Sequence, residues 1–187
     1  MFSAIRNSYG KYLLEKRIKH IRRDKAVHNF NTARSACIIF QCTEDEDFNI
    51  IKSFKKFLEE HDIKVFVIGY VDEKQVPDHF LLRTGFNCFC QKELNWAYIP
   101  SSPFLTEFLS KEFDLLFDLS LRKLFPVHYL VSMSRAQYKI GRFTENNNYD
   151  LMIDIRKENR LVYFCDQIRH YLGMIKSSRQ AVTQDSF

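Results

Sequence analysis

The chain has 187 residues, 45% of them hydrophobic and 27% charged, with 18 Phe and 9 Tyr against only 5 Gly and 4 Pro. That length fits a single domain, and so much ring surface excludes a disordered or low-complexity chain. The formal net charge is +5 at neutral pH, too small to mark the whole chain as a nucleic-acid binder by composition.

The charge is unevenly placed. Residues 1–35 hold nine basic groups and two acidic ones, a net +7, so the remaining 152 residues carry −2. Ser8 to Asn29 reads as a helix with Ser8 as N-cap. Leu14, Ile18 and Ile21 form an apolar stripe that Tyr9 and Leu13 extend. Lys11, Lys16, Arg17, Lys19, Arg22, Arg23 and Lys25 are the candidate polyanion contacts. Three readings stand: a helix docked by its stripe with a solvated basic face, a contact with RNA (the ribosome included) or another acidic partner, or a helix lying on an anionic membrane. The last is disfavoured by a narrow apolar face with no Trp or Phe anchor.

Beyond the linker, strands and helices alternate. Ser35–Gln41 is a β-branched strand. The acidic run after Thr43 opens a helix with Thr43 or Asp45 as N-cap, and Phe48, Ile51, Phe54, Phe57 and Leu58 as its buried stripe. Lys64–Val71 is a near-continuous apolar strand, the pattern of a parallel strand covered on both faces. A loop with a helical turn leads to a strand at Asn87–Lys92. A helix at Phe104–Glu112, a strand at Phe113–Ser120, a helix at Val127–Met133 and a strand at Ala136–Phe143 follow. A polar turn at Glu145–Asn148 leads to a strand at Tyr149–Ile155, and the shortness of that turn predicts an antiparallel final pair. The closing helix should bury Leu161, Phe164, Ile168, Tyr171, Leu172 and Ile175. The expected fold is α/β: an open, mostly parallel sheet of about six strands with helices on both faces, behind the basic helix. The divisions are residues 1–34, 35–176 and a flexible tail at 177–187.

No segment approaches the ~20 apolar residues of a membrane span, and the N-terminus lacks the apolar core of a secretory signal. A cytoplasmic location follows. The five cysteines, Cys37, Cys42, Cys88, Cys90 and Cys165, form no CxxC and read as buried thiols.

Ligands in such sheets bind beyond the carboxyl ends of the strands. There is no glycine-rich phosphate loop and no nucleophile elbow, and the six histidines lack metal-ligand spacing. No cofactor, metal or catalytic residue is assigned, and the reading leans away from an enzyme. Asp114 and Asp118 share a strand face, where paired carboxylates can divide acid and base roles; partnership with backbone N–H groups is the plainer role. His128 reads as a core group. Thr43, Ser120, Arg122, Ser134, Arg135 and Arg142 are the candidates for an anion or small-ligand site, with Ser132 and Lys139 nearby.

Two resemblances add to this. Phe113, Asp114, Leu115, Asp118, Leu119, Ser134, Ala136, Ile140 and Gly141 resemble a strand–helix–strand stretch of the heptosyltransferase family, which implies a Rossmann-like fold. That family uses two such domains, and its Gly-Asp loop is replaced here by Gln41-Cys42-Thr43-Glu44, so the resemblance implies fold and not activity. The basic leading helix, Leu94–Trp96, the Phe113–Leu119 strand, the strand ending at Phe143, the Tyr149–Asp154 strand and the closing Tyr171-Leu172 also resemble an uncharacterised family of small Bacteroidota proteins. The first hypothesis is a non-enzymatic binding protein whose basic helix meets RNA or another acidic partner. The alternative is a nucleotide or sugar-phosphate site at the strand ends.

Overall fold

A computed structural model describes residues 2–145 and 149–176. The polar turn at Glu145–Asn148 and the tail therefore fall largely outside the described residues. Six strands form one sheet: β1 Ser35–Gln41, β2 Lys64–Tyr70, β3 Asn87–Phe89, β4 Leu115–Asp118, β5 Tyr138–Arg142 and β6 Leu151–Ile153. Their spatial order is β3-β2-β1-β4-β5-β6, and every pair is parallel. The order reverses between β1 and β4, the switch point of a Rossmann-like sheet.

The helices are α1 Phe2–Ile18, α2 Asp45–Glu59, α3 Asp78–Leu81, α4 Pro103–Ser110, α5 Phe125–Met133 and α6 Leu161–Met174. The alternation of β1 explains the two layers. Ile38 and Phe40 enter the cluster that holds Phe48, Phe54, Phe164 and Ile168 of α2 and α6, while Cys37 and Ile39 enter the one that holds Leu105, Phe108, Leu130 and Val131 of α4 and α5. Strand residues with fully buried neighbours on both faces produce the continuous apolar reading of such segments.

Three expectations are corrected. The final pair is parallel, with Ile140 opposite Leu151 and Arg142 opposite Ile153. Eight connecting residues suffice because β6 begins only two residues behind the end of β5, a return of roughly 7 Å at ~3.3 Å per residue. Tyr149, just before β6, packs over Gly141, where a Cβ would lie 2.4 Å from its ring. Secondly, α2 is capped by Glu44, with the Asp47 carboxylate accepting from the Glu44 and Thr43 N–H groups at 3.1 Å. Thirdly, Tyr171 is 46% exposed; α6 buries Leu161, Phe164, Cys165, Ile168 and Leu172.

The N-terminal helix departs most from its predicted bounds. It starts before Ser8, which is no cap, and ends at Ile18. Residues 21–29 form neither helix nor strand and are held on the domain by Ala26 N–H to the Gln137 carbonyl at 3.3 Å, by His28 against Gln137 at 2.6 Å and by Asn29 Nδ2 to the Ile175 carbonyl at 2.7 Å. Those ties replace the helical hydrogen bonds that Arg22–Asn29 would otherwise make. Leu14 is buried against Ala97, Ile99 and Tyr129, while Tyr9 lies outside that contact at 47% exposed.

Candidate functional site

The seven predicted cations divide into two groups. Arg17 donates to the Tyr129 hydroxyl at 2.6 Å. Arg23, its side chain 10% exposed, donates to both oxygens of Asp150 at 2.5 and 2.6 Å. These two anchor the segment. Lys11, Lys16, Lys19, Arg22 and Lys25 are exposed. Lys25 also stands 3.5 Å from Asp150, with its own side chain 73% exposed. Arg22 shares a basin of about 370 Å³ with His20, Arg23 and Arg135, tempered by Asp24 and Glu112.

The predicted ligand residues are not brought to one place. Thr43 is tied to Asp47. Ser134 Oγ accepts from the Ala136 N–H at 3.2 Å. Arg135 lies before β5 and Arg142 at its carboxyl end, so they face opposite rims of the sheet. Only Ser120, Arg122 and Arg142 gather near the switch point. There Asp118, 7% exposed, accepts from the Tyr149 hydroxyl at 2.6 Å and from the Ser120 N–H at 3.0 Å. Burial pushes its carboxyl above the usual range, with Tyr149, Ser120 and Arg142 opposing that shift. The cavity between Asp118, Arg122, His128, Arg142 and Tyr149 is about 20 Å³, the space of a single water. Burial and the nearby Lys123 and Lys11 charges lower the His128 pKa.

Asp114 is a bystander to this cavity. It accepts from Arg34 N–H at 2.7 Å and Ser35 N–H at 2.9 Å, pinning the start of β1. A strand's length separates it from Asp118, so the two cannot divide a proton-transfer step.

Two larger clefts were not legible in the sequence. One, of about 330 Å³, is lined by Asn7, Tyr70, Asp72, Gln91, Tyr98, Lys123 and the start of α5. It needs α1 to close it, and no local pattern announces that contact. The other, of about 270 Å³, is lined by Arg23, Lys25, Ser132, Lys139, Tyr149 and Asp150. Lys139 is 3% exposed and donates to the carbonyls of Val131 at 2.7 Å and Ser132 at 3.4 Å. Burial, with Arg23 alongside, lowers its pKa to about 7. A lysine in the middle of a strand, where apolar residues belong, was the available signal.

Among the described residues no His, Cys, Asp or Glu side chains cluster in a group of three able to hold a metal ion, and no helix is long and apolar enough to cross a membrane. All five cysteines are free. A family of unknown function (DUF6913) matches residues 6–175. The chain belongs to that family. The matched span takes in α1, the connector and α6 together with the sheet, so the basic segment is part of the family's unit. No curated protein and no solved structure matches the chain.

Proposed function

We propose that this protein binds RNA in the cytoplasm as a non-enzymatic module, with Lys11, Lys16, Lys19, Arg22 and Lys25 meeting phosphates. The observation that carries the reading is the division of labour in the N-terminal segment. Leu14, Arg17 and Arg23 fasten it to the domain, and five exposed cations are thereby held at fixed positions on a chain whose remainder is slightly acidic. Clustered, positioned Lys and Arg supply the sequence-independent part of RNA affinity through counterion release. Their preorganisation lowers the ordering cost that a free basic tail meets on binding.

Deleting residues 1–34 would remove Leu14, Phe30 and Ala33 from the core and is a test of folding. The direct test is a salt titration of RNA binding by the full chain and by a Lys11→Glu, Lys16→Glu, Lys19→Glu, Arg22→Glu variant. The full chain should show a log–log slope of roughly −3 to −4, from about 0.7 per phosphate contact on single strands, and the variant should lose binding at its unchanged melting temperature. Equal binding by both proteins, or none by either, would sink the reading.

The cleft around Lys139 and Arg23 supports the alternative of a small phosphorylated ligand, because it places Arg23, Lys25 and the amine of Lys139 around one carboxylate in about 270 Å³. A rise in melting temperature with a nucleotide or sugar phosphate, retained in the four-Glu variant, would favour it.

A further inference from the structure

α1 carries a second stripe that its packing leaves uncovered. Ile5, Tyr9, Tyr12 and Lys16 follow at i, i+4, i+7 and i+11, which sets them along one side of the helix. Gly10 and Leu14 are buried on the other side, against the Ala97 loop and α5. Ile5 is 56% exposed, Tyr9 47% and Tyr12 59%. The only tryptophan of the chain, Trp96, joins them at 59% exposed. The Tyr9 ring centroid lies 5.7 Å from that of Trp96, inclined by 61°, and 6.3 Å from that of Tyr12, inclined by 30°. Three rings from two distant segments make one open aromatic surface.

That surface is built rigidly. Arg6 Nε donates to the Trp96 carbonyl at 2.7 Å, and its guanidinium covers the Tyr98 ring at 4.4 Å. The loop under Trp96 closes on Asn95, whose Oδ1 accepts from Ala97 and Ile99 N–H groups at 2.9 and 3.1 Å. At Gly10 a Cβ would lie 2.3 Å from the Ala97 carbonyl oxygen, so glycine is what allows the helix to seat on this loop. Rings fixed outward in this way forgo the stabilisation that burial would give them, and a contiguous exposed cluster of this kind marks an interaction surface.

The partner's chemistry follows from the surroundings. Lys16 completes the stripe and is exposed. Aromatic faces bordered by an ammonium group match a chain that alternates flat bases with phosphates, and stacking on Tyr or Trp is tolerant of base identity. A duplex hides its base faces, so it would use the cations alone. A stripe made to enter lipid draws on Trp, Phe and Leu to reach the acyl layer; of the three rings only Trp96 is of that kind, and the two on this helix end in hydroxyls. We infer that Tyr9, Tyr12 and Trp96 are a stacking platform for unpaired bases of single-stranded RNA, with Lys16 meeting the flanking phosphate. This rests on the polyanion reading above and narrows it to one class of RNA.

Trp96 is itself the reporter. Titrating the full chain with a short oligouridylate should quench its fluorescence, and Tyr12→Ala and Trp96→Leu should each weaken binding about tenfold, the effect of losing one stacked base. Tyr12→Phe should bind as the parent does. Salt-sensitive binding with unchanged Trp96 emission, equal affinity for a duplex of the same length, or full affinity in Tyr12→Ala would overturn the platform while leaving the polyanion reading intact. Absence of all RNA binding removes both. A blue shift of Trp96 on phosphatidylglycerol vesicles, with none on oligouridylate, would overturn the platform in favour of a membrane surface.

Discussion

Arg23 and Asp150, 127 residues apart in sequence, form a two-oxygen ion pair at 2.5 and 2.6 Å that ties the N-terminal connector to the loop entering β6. Asp150 also accepts from the Lys139 N–H at 2.8 Å, so one carboxylate joins the connector to β5 and to the approach of the edge strand β6. Arg23→Ala strands a largely buried carboxylate, and the expected loss is roughly 2–4 kcal/mol. Urea unfolding of Arg23→Ala, Asp150→Ala and the double variant checks it. The two single losses should overlap strongly in the double variant; simple additivity would show that the pair does not act as a unit.

Lys139 makes stability depend on pH in a definite direction. Its folded pKa is about 7, below the ordinary lysine value of about 10.4. Between these values the unfolded chain binds the proton and the folded chain does not, so the contribution of this residue to stability rises with pH across that window. Arg23 and Lys25 push in the same direction as burial, and Asp150 opposes them. The difference between the parent and Lys139→Met in unfolding free energy, read from urea titrations, should therefore shift in the parent's favour by up to ~1 kcal/mol per pH unit from pH 7 to 10. A pH-independent difference would mean that Lys139 stays charged.

Gly141 is required by Tyr149. A Cβ at position 141 would stand 2.4 Å from the Tyr149 ring, and moving that ring breaks its 2.6 Å hydrogen bond to Asp118. Gly141→Ala should cost about 1–3 kcal/mol through overpacking, and Tyr149→Phe about 1–2 kcal/mol by leaving the buried carboxylate short of a donor. Thermal unfolding reads both. A Gly141→Ala protein as stable as the parent would show that the loop shifts freely and that the parallel closing strand does not depend on this contact.

Among the thiols, Cys88 should react first. Cys42 and Cys88 both approach Gly69 from the neighbouring strands. A hydrogen bond from Cys42 lowers the Cys88 pKa, whereas burial raises those of Cys37, Cys42 and Cys165. Cys88 is also the least buried of the five. Alkylation with iodoacetamide at mild alkaline pH, followed by peptide mapping, should find Cys88 modified ahead of the others and slowed in Cys42→Ala. Uniform labelling would mean that the domain opens globally before any thiol reacts.

Much of the architecture follows from local pattern. Ser35–Gln41 has the bounds that its β-branched run implies, and α2 follows the stripe of Phe48, Ile51, Phe54 and Leu58, because periodicity of 2 or 3.6 records which side of an element loses water. The excess of positive charge before residue 36 is equally a property of the sequence. Local pattern does not say which strand neighbours which, nor that the β5–β6 pair is parallel, since both depend on paths taken by the connections. It also misplaced the end of α1: the helical stripe runs on to Ile21, yet Gln137 and Asp150 hold residues 21–29 against the domain in a non-helical path. That same docking turns Arg23 inward, ties the exposed Arg17 to Tyr129, sets Trp96 beside Tyr9, and closes two clefts. The sequence alone determined the α/β class and the basic segment; tertiary structure decided which of its cations and rings face a partner, because exposure is settled by contacts between segments that no local window contains.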